Sequence, residues 1–247
     1  TPVTQGPLDF FSQYKFLDPG IFGNSYYAFR ARYAVMGGFE GRQVVSYQNL
    51  PELIEKAHSI AFRVTKAEAL DLPEQVDAIR YCELESKAQR LYEQMRKECV
   101  AELSDEKTVT AANVLAKPLR LQQITGGFLG DGEGAVQKVS NAKLSVLKEI
   151  LEDIVIDAGK KLVIFARFRP EIAAIEKLLQ GLKIRYECIH GDINMSERGG
   201  KVKAFQTNPD VKVFVAQLQT AGLGITLTAA DTAVFYSLHF SFANYDQ

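Results

Sequence analysis

Residues 160–190 read KKLVIFARFRPEIAAIEKLLQGLKIRYECIH, and this stretch decides the fold. It opens on a short apolar run, Lys160 to Ala166. Pro170 follows, at a position suited to the first turn of a helix. Ile172, Ile175, Leu178 and Leu179 then recur at helical spacing. Gly181 supplies the stop. Lys183 to His190 is a second strand candidate. Working outward toward the C-terminus, Asn194 stands three residues before Glu197, a capping-box spacing that opens a helix carrying Val202 and Phe205. Val211 to Ala216 predicts a third strand and Thr232 to Tyr236 a fourth. Short apolar strands alternating with short helices indicate βαβ units, hence an α/β fold with a parallel sheet covered on both faces.

Working outward in the other direction, Asn141 to Ala158 predicts an amphipathic helix with Leu144, Leu147, Leu151, Ile154 and Val155 on one stripe. Gly126 to Gly134 holds five glycines and is the best candidate for a linker or mobile loop. Ala111 to Ile124 reads as helix, with Pro118 starting or kinking a turn. Glu83 to Leu103 reads as a longer helix with Leu84, Leu91 and Met95 inward and a solvated face of Lys87, Arg90, Arg96 and Lys97 paired with Glu83, Glu85, Glu93 and Glu98. The first 60 residues are rich in Phe, Tyr and Gly and read as irregular chain with short helices, Leu50 to Ala57 among them. No internal repeat is visible.

Composition narrows the function classes. The chain has 247 residues, 47% hydrophobic and 24% charged, enough for one large or two small globular domains. That balance excludes global disorder. No apolar run approaches the roughly 20 residues of a membrane span, so no membrane partner is expected. With 29 basic and 30 acidic residues the net charge is −1, which makes no global case for nucleic acid but leaves room for a local basic cleft. Three widely spaced cysteines without a CxxC fit free thiols in a reducing compartment. Three histidines leave little material for Cys/His metal chemistry. The chain opens on Thr1-Pro2 and ends on Tyr245-Asp246-Gln247 without a polar tail, so both ends read as cut from something longer.

Several catalytic signatures are absent: GxxxxGK[ST], GxSxG, HExxH and the kinase set. The strongest local signal is Gln217 to Asp231, QLQTAGLGITLTAAD, directly after a strand. A Gly-x-Gly turn there allows backbone to approach a ligand closely. It fails as a dinucleotide fingerprint, because Leu227 holds the third glycine position. A tight turn that only packs a helix is the alternative.

Taken in order, these pieces resemble one family, the Swi/Snf-type ATPases of helicase superfamily two. Thr1-Pro2 with Leu8-Asp9-Phe10 is similar to the stretch at the end of motif III, and Phe16 to Gly23 reads FLDPGIFG, like the family's "FL.P..FG". Phe62-Arg63-Val64-Thr65-Lys66 with Leu72-Pro73 resembles the "R..K.....LP" element before the second lobe, and Ser86 to Leu91 the helix after it. Lys161 to Phe168 resembles motif IV. His190-Gly191, Glu197-Arg198 and Phe205 resemble "hG....eR...i..F", and Ala221 to Asp231 resembles motif V. The chain departs from the pattern in lacking Trp, in carrying Ser241-Phe242-Ala243 after the last strand, and in placing Gln219-Thr220 where "TR" is common. The compact insert and these departures look more prokaryotic or viral than like a large chromatin remodeller.

The resemblance implies a RecA-like second lobe over 141–247, a helical protrusion and Gly-rich loop over 66–140, and the tail of a first RecA-like lobe with its connecting element over 1–65. It implies a parent that uses ATP and Mg2+ to move on double-stranded DNA, with the first helicase lobe as the missing partner and a cytoplasmic setting, nuclear if eukaryotic. Walker A, the magnesium box and the motif VI arginines belong outside this segment. Gly222 and Gly224 would then border the nucleotide, or form a structural turn. Arg167, Gln219 and Thr220 would contact the DNA backbone, against a solvated or ion-paired Arg and a capping pair. His190 and Arg198 are further DNA-facing candidates, against a satisfied loop histidine and a salt bridge to a neighbouring Glu. Thr1, Arg63 and Lys66 fall in the inter-lobe element. No residue of this chain is assigned a catalytic or metal role. The other reading left open is a non-catalytic nucleic-acid-binding module or a small nucleotide-binding α/β domain.

Overall fold

The computed structural model describes residues 6–64, 66–69, 71, 74–104, 111–130, 136–221 and 225–238. The chain divides into two compact units, Thr1–Asp77 and Ala78–Gln247.

In the first unit, a 3-10 turn at Pro7–Asp9 leads into α1 (Phe10–Leu17), α2 (Pro19–Phe22) and α3 (Tyr26–Tyr33). Asp18 and Ser25 cap α2 and α3 with their side-chain oxygens, accepting from Gly20 N at 2.8 Å and Ala28 N at 3.3 Å. Phe11, Phe29, Tyr33 and Leu53 form the core, with Phe22 packed against it. The rings meet edge-on or tilted, as their quadrupoles favour: Phe22 and Phe29 lie 5.1 Å apart, Phe29 and Tyr33 4.9 Å. The short helices agree with the sequence. What sequence reading missed is a hairpin, β1 (Ala34–Gly37) paired antiparallel with β2 (Gln43–Tyr47). Its signal was Gly37-Gly38 and Gly41 between two Val-containing runs, with Gly38 and Gly41 at φ +72 and +66. α4 (Leu50–His58) follows, then the short α5 (Lys66–Ala69).

The second unit begins with α6 (Ser86–Ser104) and α7 (Ala111–Thr125), which carries Pro118 inside it. Ala88 is fully buried on the expected inner face. Glu85 is exposed, as expected, but pairs off the helix face: its carboxylate accepts from Asn141 N at 2.8 Å and from the Ser140 hydroxyl. Part of the Gly-rich stretch is ordered into β3 (Phe128–Gly130), paired with β4 (Val136–Lys138); residues 131–135 lie outside the described residues. α8 (Ala142–Leu151) runs on into a π-helical turn at Glu152–Asp157, where the sequence predicts continuous α-helix. Leu151 and Val155 are both in the core.

The remainder alternates as expected: β5 (Leu162–Ala166), α9 (Arg169–Gly181), β6 (Arg185–Ile189), α10 (Met195–Thr207), β7 (Val211–Gln217), the short α11 (Leu218–Ala221) and β8 (Thr232–Phe235). Among the described residues the strands form one parallel sheet in the order β6-β7-β5-β8. Side chains alternate across it. Leu162, Ile164, Val213 and Val215 pack with α8 and α9. Val163, Phe214 and Ala216 pack with Phe205 of α10, the Phe205 and Phe214 rings 5.3 Å apart. Both faces are therefore covered, and function is left to the strand ends. The Asn194 cap differs in detail from expectation: Nδ2 donates to Glu197 Oε1 at 3.2 Å, and its side-chain oxygen makes no cap bond.

Candidate nucleic-acid interface

Parallel strands point their C-terminal ends to one edge, and open α/β sheets bind ligands outside that edge. Arg167 follows β5, His190 follows β6, Gln219 and Thr220 follow β7, and Ser237 follows β8. Four sequence-predicted residues thus share one edge.

Gln217, the last residue of β7, ties these loops together. Its Nε2 donates to the Arg167 carbonyl at 3.2 Å. Its Oε1 accepts from Gly191 N at 3.1 Å and from the Thr220 hydroxyl at 3.4 Å. One amide side chain therefore touches the loops after β5 and β6 and the first turn after β7. Sequence reading did not single it out. The available signal was a polar residue ending an apolar strand immediately before the Gly-x-Gly turn.

Arg167 is half-buried. Its Nη1 donates to Gln122 Oε1 of α7 at 2.5 Å, and its guanidinium lies 5.1 Å from the centre of the Phe168 ring. Burial disfavours its charge, a cost that a nearby anion offsets. Gln219 is exposed and Thr220 half-buried. His190 is half-buried, with Nδ1 lacking a hydrogen-bond partner among the described residues. Burial, then the Arg169 charge, hold its imidazole below the usual histidine range. Arg169 pairs with Asp192 beside it. Arg198 reaches back from α10 to the Ile193 carbonyl, Nε at 3.2 Å and Nη2 at 3.0 Å, so it braces the loop after His190.

Gly222, Gly224 and Thr1 lie outside the described residues. Arg63, which is exposed, and Lys66, at the start of α5, belong to the first unit. Among the described residues no three His, Cys, Asp or Glu side chains gather in a metal-binding group, and the 247 residues contain no phosphate-cradling P-loop. Among the described residues no helix is long and apolar enough to cross a membrane.

Comparison with known proteins bears on this edge. Residues 1–126 match the profile of the SNF2-related domain, and residues 142–247 match the helicase conserved C-terminal domain. An uncharacterized ATP-dependent helicase of Mycoplasma genitalium is 24% identical over 246 residues, covering 98% of this chain and 22% of the relative. A DNA annealing helicase and endonuclease of Mus musculus is 28% identical over 250 residues, covering 97% and 22%. Among solved structures, the Sulfolobus solfataricus SWI2/SNF2 ATPase core in complex with dsDNA superposes with a TM-score of 0.56 at 25% identity, over 96% of this chain and 50% of that one. The chain thus spans about a fifth of the length of the curated relatives it matches.

Proposed function

Because this chain belongs to the SNF2-related family, we propose that it forms part of an ATP-dependent translocase that moves on double-stranded DNA. The RecA-like parallel sheet is its second lobe, and the strand-end edge is where it grips the DNA backbone. The observation that carries this reading is the convergence of Arg167, His190 and Thr220 on one sheet edge, where Gln217 bonds to the Arg167 carbonyl, to the amide of Gly191 next to His190, and to the Thr220 hydroxyl. Backbone contacts of this kind use a cation together with short polar side chains and amide N–H groups. Arg167 supplies the cation, and Gln219 and Thr220 supply neutral donors. Arg198 acts through the Ile193 carbonyl, holding the loop that presents His190.

ATP, bound with Mg2+ by both lobes of the complete protein, supplies the energy that opens and closes them. Gly222 and Gly224 border the nucleotide in this reading, and Thr1, Arg63 and Lys66 carry lobe orientation. The segments 1–65, 66–140 and 141–247 are the tail of the first lobe, the protrusion and the second lobe. The setting is the cytoplasm in a prokaryote or viral host, and the nucleus in a eukaryote. A non-catalytic binding module is the weaker reading, because the two matching profiles together span most of the chain.

The test is fluorescence anisotropy of labelled duplexes with the 247-residue chain, alongside an ATPase assay. Expected are dissociation constants of about 10⁻⁴ to 10⁻⁶ M that weaken as salt rises, and no DNA-stimulated turnover, since the P-loop is absent from this chain. Salt-independent binding, or ATP turnover stimulated by DNA, overturns the reading.

A further inference from the structure

Glu171 lies in the first turn of α9, beside the edge that carries Arg167, and is only 1% exposed. Its Oε2 accepts from the Phe168 amide at 3.1 Å and from the Ser237 hydroxyl. Its Oε1 is buried and has no hydrogen-bond partner among the described residues. Closing off a carboxyl oxygen in this way is costly, and capping α9 accounts only for Oε2.

The lid over Oε1 is Gly126. A methyl group at that position would collide with Oε1, so the turn after α7 rests on the carboxyl because it has no side chain. Ser237 relays the other oxygen. Its Oγ accepts the Arg167 N–H at 2.8 Å while its hydroxyl faces Oε2. Glu171 therefore fixes two successive amides, Phe168 directly and Arg167 through Ser237. Those amides form the exit from β5 that sends the Arg167 side chain toward Gln122.

We propose that Glu171 is a positioning residue for Arg167, and that its carboxyl takes up a proton when DNA binds at this edge. The proposal rests on the DNA reading above. The charged groups facing Glu171 are Lys143 of α8 and Arg167 after β5; the titratable Tyr236, at the end of β8, faces it too. Lys143 is bonded to the Tyr236 carbonyl at 3.0 Å. Burial outweighs the hydrogen bonds from Ser237 and Phe168 and the Lys143 charge, and holds the carboxyl above the usual glutamate range. A phosphate at Arg167 offsets the guanidinium charge and adds negative charge nearby. Both effects favour the protonated carboxyl in the complex over the free chain. By linkage, affinity for DNA falls as pH rises through the titration of the free carboxyl.

The experiment is anisotropy of a labelled duplex with the whole 247-residue chain from about pH 4.5, just above the ordinary glutamate value, to about pH 8.5 at constant salt. A one-unit difference in proton affinity between free and bound states gives about a tenfold change in affinity across the titration. Wild type should weaken with rising pH, and Glu171→Gln should flatten that dependence. His190 titrates in both proteins, so the difference between them reads Glu171. Arg167→Ala should flatten it as well, because the coupling passes through that charge. Gly126→Ala, which displaces the carboxyl without removing it, should bind several-fold more weakly. Duplex binding in which Glu171→Gln keeps the wild-type pH dependence overturns this inference and leaves the DNA reading standing, and so does undiminished binding by Gly126→Ala. Failure of wild type to bind duplex at any pH overturns the DNA reading and the coupling together.

Discussion

The side-chain amide of Gln217 is hydrogen-bonded to the backbone carbonyl of Arg167, Nε2 to O 3.2 Å, across 50 residues of sequence. Through the same side chain the Gly191 amide is held at 3.1 Å. A strand-end glutamine thus sets the spacing of three loops.

Replacing it with an apolar side chain of similar length removes all three bonds, to the Arg167 carbonyl, the Gly191 amide and the Thr220 hydroxyl, while keeping bulk. Gln217→Met should destabilise the chain by about 1 kcal/mol, chiefly because the half-buried Arg167 carbonyl loses its side-chain partner, the Gly191 amide being exposed to water. Urea unfolding reads this as a lower midpoint at unchanged slope. Duplex affinity should fall in the same variant, since Arg167 and Thr220 lose their common anchor.

How far the sequence alone reached follows from where the burial is. β5 and β7 were legible because their residues pack on both faces, which leaves apolar runs in the chain itself; β6 and β8 were legible from their place in the alternation with helices, since β6 is buried only toward its C-terminal end and Ala233 and Phe235 of β8 are exposed. α9 was legible because Ile172, Ile175 and Leu179 face one core. The β1–β2 hairpin was not, since all of Gln43–Tyr47 is exposed and carries no inward–outward pattern. At the candidate edge, Arg167 and Thr220 came from motif resemblance. Gln217 and Glu171 were missed because their partners lie far away in sequence. Glu171 meets Ser237 66 residues on, and a Glu one residue after Arg-Pro reads as ordinary helix start.

Glu52 offers a pH test in the first unit. It accepts from Arg32 at 2.6 Å, Lys56 at 3.0 Å and the Tyr33 hydroxyl at 3.1 Å. The Arg32 hydrogen bond first, then Lys56, hold its carboxyl down at about 2. A depressed carboxyl contributes stability that is present above the unfolded value of about 4.3 and lost as pH falls through the folded one. Thermal unfolding between about pH 5 and 2 should therefore show a steeper loss for wild type than for Glu52→Gln. Parallel curves would show that the cluster contributes nothing, as exposed pairs often do.

Cysteine reactivity tests the packing of β6. Burial pushes the Cys188 thiol up to about 12, whereas Cys82 is exposed. Reaction follows the thiolate fraction and access. Site-resolved mass spectrometry after a brief thiol-reagent pulse at pH 8 should find Cys82 modified and Cys188 protected until denaturant is added. Equal labelling of both in the native chain would contradict the buried sheet.

The measurement that reaches the central claim most directly is the salt dependence of duplex binding for Arg167→Ala against Arg96→Ala. Arg96 sits on α6, paired with Glu93 at 2.9 Å. If the strand-end edge grips the DNA backbone, Arg167→Ala weakens binding similarly on all sequences and lowers the slope of log affinity against log salt by about one. Arg96→Ala then leaves both affinity and slope nearly unchanged. The contrary result is Arg96→Ala weakening binding as much as Arg167→Ala, which would put the DNA on the helical protrusion and not on the sheet edge.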